Sequence, residues 1–160
     1  MNKRVAIPLI TVIIILVLGF ILYKNGLLPM VNKTSENKVY YNNGQVNYEG
    51  DLENGKPNGS GKIYLENGKL YYKGEVKDGK PNGVGKSYHE DGKLNYEGQW
   101  KDGLYDGNGT IYYEDGKINY KGQLKNGNAN GEGKYYNPSG ELEFEGTFKD
   151  NELIEKKSKG

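Results

Sequence analysis

The sequence predicts an all-β fold: an elongated single-layer antiparallel meander of β-hairpin repeats, preceded by one N-terminal transmembrane helix. Three observations support this prediction. Glycines recur every 24 residues, each repeat unit alternates between apolar and polar residues, and residues 5–23 form an uncharged apolar run. The chain also holds 25 glycines in 160 residues, roughly twice the average usage of about 7%. Glycine at this density disfavours helices and suits a chain that turns often.

Residues 5–23 are predicted to be a transmembrane signal-anchor. As a helix, these 19 residues would span about 28 Å, close to the ~30 Å hydrocarbon thickness of a bilayer. Lys3 and Arg4 precede the run and favour an N-terminus in the cytoplasm, which would place the rest of the chain outside. Two alternatives remain open: a cleaved signal peptide with a small-residue site near residues 17–19, and a helix buried in the soluble domain.

The charge is divided unevenly along the chain. Residues 1–39 hold five basic residues and one acidic residue, and the rest of the chain holds 17 basic and 20 acidic residues. Residues 24–39 are predicted to be a stalk between the membrane and the repeats. A mildly acidic repeat domain lacks the basic stripe of a nucleic-acid binder, so no nucleic-acid partner is expected. The chain has no cysteine, which excludes disulfides and thiolate chemistry.

A repeat of 24 residues is the strongest signal in the chain. In each unit a glycine recurs at the same position. Tyrosine or phenylalanine stands two residues before this glycine, and a second apolar residue stands two residues after it. The glycines are 50, 74, 98, 122 and 146; the aromatic residues before them are 48, 72, 96, 120 and 144; the apolar residues after them are 52, 76, 100, 124 and 148. We assign residues 40–150 to this domain, as four full units with partial ends, and residues 151–160 to a flexible tail.

Each unit is predicted to contain two strands and two turns. Residues 70–76 alternate, with Leu70, Tyr72, Gly74 and Val76 on one face and the intervening side chains on the other, which is the period of a half-buried strand. The dipeptide at 78–79 is Asp-Gly, a strong hairpin signal. The second strand is expected at 85–88, and the pattern does not decide which of its faces is buried. About ten short strands result.

These residues resemble the MORN repeat, whose pattern is Tyr-x-Gly, an aromatic two residues later, Asn/Asp-Gly, and then Gly-x-Gly. The segments YEGQWKDG at 96–103 and GNG at 107–109 match it closely. The 24-residue spacing is similar to a bacterial variant in a family labelled antitoxin-like, and the high Asn, Lys, Ile and Tyr content is typical of an AT-rich bacterial genome. The resemblance implies a sheet used for membrane association, protein scaffolding or toxin neutralisation. Most units have Leu or Val where the family most often has Trp; Trp100 keeps it.

Catalytic and cofactor motifs are not expected. The segment GVGKS at 83–87 lacks the earlier glycine of a phosphate-binding loop, because position 80 is lysine, so no nucleotide is expected. The Asp/Asn-Gly loops supply too few oxygens for calcium. His89 is the single histidine, which leaves no natural site for a nucleophilic triad or a metal. Alternating glutamate and lysine columns predict a solvated face with cross-strand charge pairs. We therefore expect a non-enzymatic module without cofactors.

The candidate binding residues are the large aromatic side chains Tyr48, Tyr72, Tyr96, Trp100 and Tyr120. One interpretation is that they form the core of the thin sheet and stack along it. The other is that they form a partly exposed strip that binds a protein partner, a peptide or an envelope polysaccharide. The expected function is a membrane-anchored scaffold that engages a protein partner; envelope polysaccharide binding and an antitoxin-like role are the alternatives.

Overall fold

The computed structural model describes residues 37–157, which form one antiparallel sheet of eleven strands. The strands pair in sequence order from β1 to β11. Their bounds are β1 Lys38–Tyr40, β2 Val46–Glu53, β3 Lys56–Tyr64, β4 Leu70–Lys77, β5 Lys80–Tyr88, β6 Leu94–Lys101, β7 Leu104–Tyr112, β8 Ile118–Lys125, β9 Asn128–Tyr136, β10 Leu142–Lys149 and β11 Glu152–Lys156. The predicted all-β meander is therefore confirmed for this part of the chain.

The predicted signal-anchor at residues 5–23 lies outside the described residues, as does most of the predicted stalk. Among residues 37–157, no helix is long and apolar enough to cross a membrane. Lys38 and Val39, which were assigned to the stalk, belong to β1 and pair with β2.

Tight two-residue turns close the β2–β3, β4–β5, β6–β7, β8–β9 and β10–β11 hairpins. In the β4–β5 turn, Asp78 and Gly79 have φ values of 49° and 79°. Positive φ at both positions is the type I′ turn, whose twist matches that of the flanking strands. The hairpin prediction from Asp-Gly is therefore confirmed.

The second strand of each unit starts earlier than its sequence suggests. β5 begins at Lys80 directly after the turn, and residues 82–84 form a bulge inside it opposite Glu75. Gly83 has a φ of 77° in this bulge. The carboxylate of Glu75 accepts a hydrogen bond from the Val84 N–H at 3.1 Å. Because the bulge has its own side-chain acceptor, the Asn-Gly pair at 82–83 continues the strand instead of ending a loop.

The C-terminal tail prediction is wrong for residues 152–156. Asp150 and Asn151 close a final hairpin in which Asn151, at φ 71°, takes the place of the turn glycine. The Asn151 carboxamide oxygen accepts a hydrogen bond from the Ala129 N–H at 2.7 Å. Asparagine tolerates the left-handed conformation, so β11 forms and pairs with β10. The sheet therefore has one strand more than the expected ten.

The buried side of the sheet, here called the core face, carries the aromatic columns. Its most buried side chains are Tyr48, Tyr72, Val76, Tyr96, Trp100, Tyr120, Leu124 and Phe148, each at most 5% exposed. The variable position of the second strand also faces this side: Ser87 pairs with Tyr72 and Tyr96 and is fully buried. The structure thus decides which face of the second strand is buried, and the next residues along these strands, Tyr64, Tyr88 and Tyr112, lie on the opposite face.

Tyr71 is on the core face, although strict alternation predicts the opposite face. The register shifts between Ile63 and Tyr64 where β3 pairs with β4, so a bulge turns Tyr71 toward the core. A bulge places two residues of one strand opposite one residue of its partner, and the face of the extra residue changes.

A row of paired glycines crosses the sheet beneath the core tyrosines. It runs from Gly50 through Gly61, Gly74, Gly85, Gly98, Gly109, Gly122 and Gly133 to Gly146, each opposite the next on the neighbouring strand. The Tyr96 ring lies over Gly109, where a Cβ would stand 2.3 Å from the ring. The Tyr96 hydroxyl donates to the Gln99 carbonyl at 2.8 Å. An aromatic ring over a glycine backbone shields that backbone from water, and the hydroxyl satisfies a carbonyl beside the bulge.

In the last unit the aromatic ring of this column is more exposed. Position 144 is Phe144, which is 37% exposed and has no hydroxyl. Gly146, two residues later, pairs with Gly133 on β9, but on its other side it pairs with Lys156 of β11 and not with a glycine. Without a second glycine beneath it, the ring does not reach the sheet backbone as the tyrosines do.

Candidate functional site

The five predicted binding residues are in the core. Tyr48, Tyr72, Tyr96, Trp100 and Tyr120 are between 0% and 4% exposed. The packing interpretation of these residues is therefore the one the structure favours. A ligand would have to displace this packing to reach the rings, so a binding surface on this chain has to be built from other side chains.

Trp100 is the centre of the core. Its ring lies edge-on to Tyr72 at 5.1 Å, Tyr96 at 5.2 Å and Tyr105 at 4.7 Å between centroids. The indole N–H donates to the Gly85 carbonyl at 3.2 Å. Because Tyr72 is on β4 and Trp100 on β6, the indole crosses β5. The small residues Gly85 and Ser87 of β5, both on this face, leave the room for it.

Burial also changes the acidity of the core tyrosines. Desolvation raises the pKa of Tyr72 and Tyr96 far above 10.0 and that of Tyr120 to about 12. Their hydroxyls are neutral hydrogen-bond donors at physiological pH. They contribute to packing and not to proton transfer.

The side of the sheet opposite the core, here called the charged face, carries a row of lysines and glutamates. Directly paired positions follow one another across the strands as Glu49, Lys62, Lys73, Lys86, Glu97, Thr110, Lys121, Lys134 and Glu145. Ion pairs join Lys62 to Glu49 at 3.4 Å, Lys86 to Glu97 at 2.8 Å and Lys134 to Glu145 at 3.3 Å. The predicted solvated face with cross-strand charge pairs is confirmed.

A groove of about 920 Å³ runs along this row across strands β4 to β8. Its floor is the backbone of the glycine row; a side chain at these glycines would point to the core face. One wall carries Lys73, Lys86, Glu97, Thr110 and Lys121, and the other carries Val84 and Asn108; Tyr88 also lines the groove. Val84 is 60% exposed. The groove therefore offers a flat backbone floor, one predominantly basic wall and one neutral wall.

The Glu97 carboxylate is held in place by two donors. Lys86 Nζ lies 2.8 Å from it, and the Tyr112 hydroxyl donates to it at 2.7 Å. Hydrogen bonds from Lys86 and Tyr112, together with the charges of Lys86 and Lys121, lower the pKa of Glu97 below 4.5. Burial and the bond to Glu97 raise the pKa of Tyr112 to about 12. This carboxylate is a structural acceptor that stays ionised.

Replacing Glu97 with glutamine is expected to make the melting temperature depend less on pH in the acid range. The folded-state pKa of Glu97 is lowered, so its contribution to stability is present above pH 4.5 and is lost as the pH falls through the folded-state pKa. Melting temperatures measured between pH 3 and pH 7 should therefore converge for the two proteins at the acid end. Glu114→Gln, at an exposed turn position, is the control and should leave the profile unchanged. Parallel profiles for the parent and Glu97→Gln would contradict the assignment.

Sequence reasoning missed the groove and its lysines. It predicted a solvated face of lysines and glutamates but could not say which of these side chains lie opposite one another. The signal was present in the glycines: once Gly61, Gly74 and Gly85 are aligned as one row, Lys62, Lys73 and Lys86 fall beside each other. Without the bulge positions, that alignment could not be made from alternation alone.

Within residues 37–157 there is no cluster of three or more histidine, cysteine, aspartate or glutamate side chains that could hold a metal ion. On the charged face, the Glu49, Glu97 and Glu145 carboxylates pair with lysines, and the Glu75 carboxylate accepts from a backbone N–H. The arrangement can bind an extended ligand by charge and shape, and it offers no nucleophile paired with a base.

Family models match most of the repeat domain. The model described as MORN repeat matches residues 48–69 and 96–118. The model described as MORN repeat variant matches residues 33–54, 81–102 and 129–150. A comparison with curated proteins gave no match.

Proposed function

Because this chain belongs to the MORN repeat family, we propose that it is a non-catalytic scaffold that holds an extended segment of a protein partner in the groove of the charged face. MORN repeats are typically scaffold modules that bind proteins or membranes. The observation that supports a protein segment is the groove itself, which leaves the backbone of five strands open between two rows of side chains. An antitoxin-like role, in which the partner is a toxin, is one form of this function.

The groove suits an extended chain better than a compact small molecule. It is open along its length and crosses five strands, from β4 to β8. Small-molecule sites are usually enclosed, and this one is open along its length between two rows of side chains. An extended peptide buries little volume and makes many shallow contacts, which is the kind of ligand that a long shallow groove accommodates.

We also propose that the repeats are displayed outside the cytoplasmic membrane by a single N-terminal span at residues 5–23. The support is the apolar run and the two basic residues that precede it. In this arrangement the groove would face partners in the envelope or outside the cell.

Photo-crosslinking from within the groove tests the proposed function. Benzoylphenylalanine at position 84 replaces Val84, which is 60% exposed inside the groove; the control replaces Ile154, which is 61% exposed on β11 and away from it. Irradiation of intact cells should give one discrete protein adduct from position 84 and none from position 154. Protease added to intact cells should then digest the repeat domain. An absence of protein adducts at position 84, or equal adducts at both positions, would contradict a protein-binding groove, and protection from protease would contradict the external location.

A further inference from the structure

Two lysines on the basic wall of the groove have no ion-pair partner in the part of the chain that the structure describes. They are Lys73 on β4 and Lys121 on β8, and both are exposed. The neighbouring lysines 62, 86 and 134 each pair with a glutamate. Lys73 and Lys121 are therefore the charges that remain available to a ligand.

Both lysines face other lysines across neighbouring strands, and the charge of Lys121 also acts on Glu97. Lys73 lies directly opposite Lys62 on one side and Lys86 on the other, and Lys121 lies directly opposite Lys134. Like charges that face each other across strands destabilise a sheet. An anionic group bound between them would relieve this repulsion.

We propose that the groove recognises an acidic segment of the partner protein, in which two carboxylates six residues apart pair with Lys73 and Lys121. This inference rests on the proposed function and specifies the chemistry of the partner. The carboxylates would lie at the two ends of the groove, and the Lys86–Glu97 ion pair would lie beneath the middle of the segment.

The spacing follows from sheet geometry. Lys73 and Lys121 are separated by four strand intervals of about 4.8 Å, which places them about 19 Å apart along the groove. An extended peptide advances about 3.3 Å per residue, so six residues cover that distance. Side chains an even number of residues apart point to the same side of an extended chain, so both carboxylates can face the basic wall.

The distribution of charge favours a protein segment over a uniformly anionic polymer. Glu97 lies on the basic wall midway between the two lysines, and Glu75 stands near the β4 end with its carboxylate bonded to the Val84 N–H. A polymer with a negative charge on every unit would be repelled at both places. A peptide can place a neutral or apolar residue there, and the exposed Val84 side chain provides an apolar contact.

Synthetic peptides and the full chain, residues 1–160 in detergent, provide the test. The probe is a fluorescein-labelled 13-residue peptide of serine, threonine and valine with two glutamates six residues apart; the matched peptide has them five residues apart. Fluorescence anisotropy at about 50 mM salt should show at least about tenfold tighter binding of the first peptide. The double variant Lys73→Gln/Lys121→Gln should lose this preference.

The control double variant is Lys77→Gln/Lys149→Gln, which removes the same charge from exposed strand ends. It should keep the preference to within about twofold. The test variant removes a repulsion rather than a bond, so its fold should be retained, and circular dichroism checks this. Equal affinity for both peptides, or a preference that survives in the test variant, would overturn the proposal.

Two further outcomes separate this inference from the proposed function. If position 84 crosslinks a protein partner equally well in Lys73→Gln/Lys121→Gln, the scaffold function stands and the acidic-segment inference fails. Inorganic polyphosphate and the unlabelled peptide are also compared as competitors, with their concentrations counted in negative charges. If polyphosphate displaces the probe at the lower concentration, and this advantage is lost in Lys73→Gln/Lys121→Gln, the ligand is a polyanion and the inference fails.

Discussion

Replacing Trp100 with alanine is expected to lower the free energy of unfolding by about 4 kcal/mol, which is within the usual range for a buried tryptophan. The indole is 4% exposed and lies edge-on to three tyrosine rings. Its removal would leave a cavity above β5 that the flanking rings cannot fill without leaving their glycines. It would also leave the Gly85 carbonyl without the indole donor. Urea unfolding followed by circular dichroism measures the effect, since the tryptophan signal itself is lost.

Two other substitutions calibrate this loss. Trp100→Phe keeps an aromatic edge against the tyrosines and loses the hydrogen bond to Gly85, so it should cost roughly half as much. Leu104→Ala shortens an apolar side chain that is 49% exposed and should change stability by no more than about 0.5 kcal/mol. Hydrogen exchange should show that the loss of protection for Trp100→Ala is largest in β4 to β7, because a repeat contacts only its neighbours. A Trp100→Ala variant as stable as Leu104→Ala would show that the indole does not organise the core.

The architecture could be predicted from the sequence because the repeat supplies the same evidence several times. Asp78-Gly79 and its equivalents fix the positions of the hairpins, and the alternation through Tyr72 and Val76 fixes which side is buried. Both predictions are confirmed. A single unit would have been ambiguous, since a lone Asp-Gly occurs in many loops.

The bulges are the part that the sequence did not predict. Each unit has two, and each one shifts the alternation. Tyr71 moves to the core face because of the first, and the strand start moves from residue 85 to Lys80 because of the second. The residues that stabilise the second bulge, Glu75 and its equivalents Asp51, Gln99 and Gln123, recur every 24 residues directly after the repeat glycine, but their type varies. Their role depends on a backbone N–H that only the structure locates.

The site could not be predicted for a related reason. Aromatic columns attract attention in a sequence, but burial decides whether they bind a ligand or form a core. In a single-layer sheet, the core has to be built from one face and covered by its own side chains, so the largest rings are used for that purpose. The face left for partners is then the one with lysines and glutamates, and its groove lies between two rows of side chains that only the structure aligns.

Replacing Gly109 with alanine is expected to lower the free energy of unfolding by about 3 kcal/mol or more, which is at the upper end of the cost of overpacking. At an ordinary extended position, glycine to alanine stabilises a protein by about 0.4–1 kcal/mol, since alanine restricts the unfolded chain. At Gly109 the new methyl group would stand 2.3 Å from the Tyr96 ring. The ring would have to leave the sheet, and with it the stacking against Tyr105 and the hydrogen bond to the Gln99 carbonyl. The sign of the change therefore distinguishes this position from an ordinary strand glycine.

A double-mutant cycle with Tyr96→Ala shows whether the ring is the cause. Tyr96→Ala alone should cost about 3–5 kcal/mol, as for other large aromatic residues in cores. In that background the space above Gly109 is empty, so adding Gly109→Ala should cost little, and the two effects should fall well short of additivity. Asn108→Ala, at the exposed neighbouring position, serves as the control for a change in the same strand. If Gly109→Ala unfolds the protein outright, the comparison of Tyr96→Ala with the double variant still decides the matter. Additive losses, or a stabilising Gly109→Ala, would mean that the tyrosine does not require glycine beneath it, and the 24-residue period would need another physical cause.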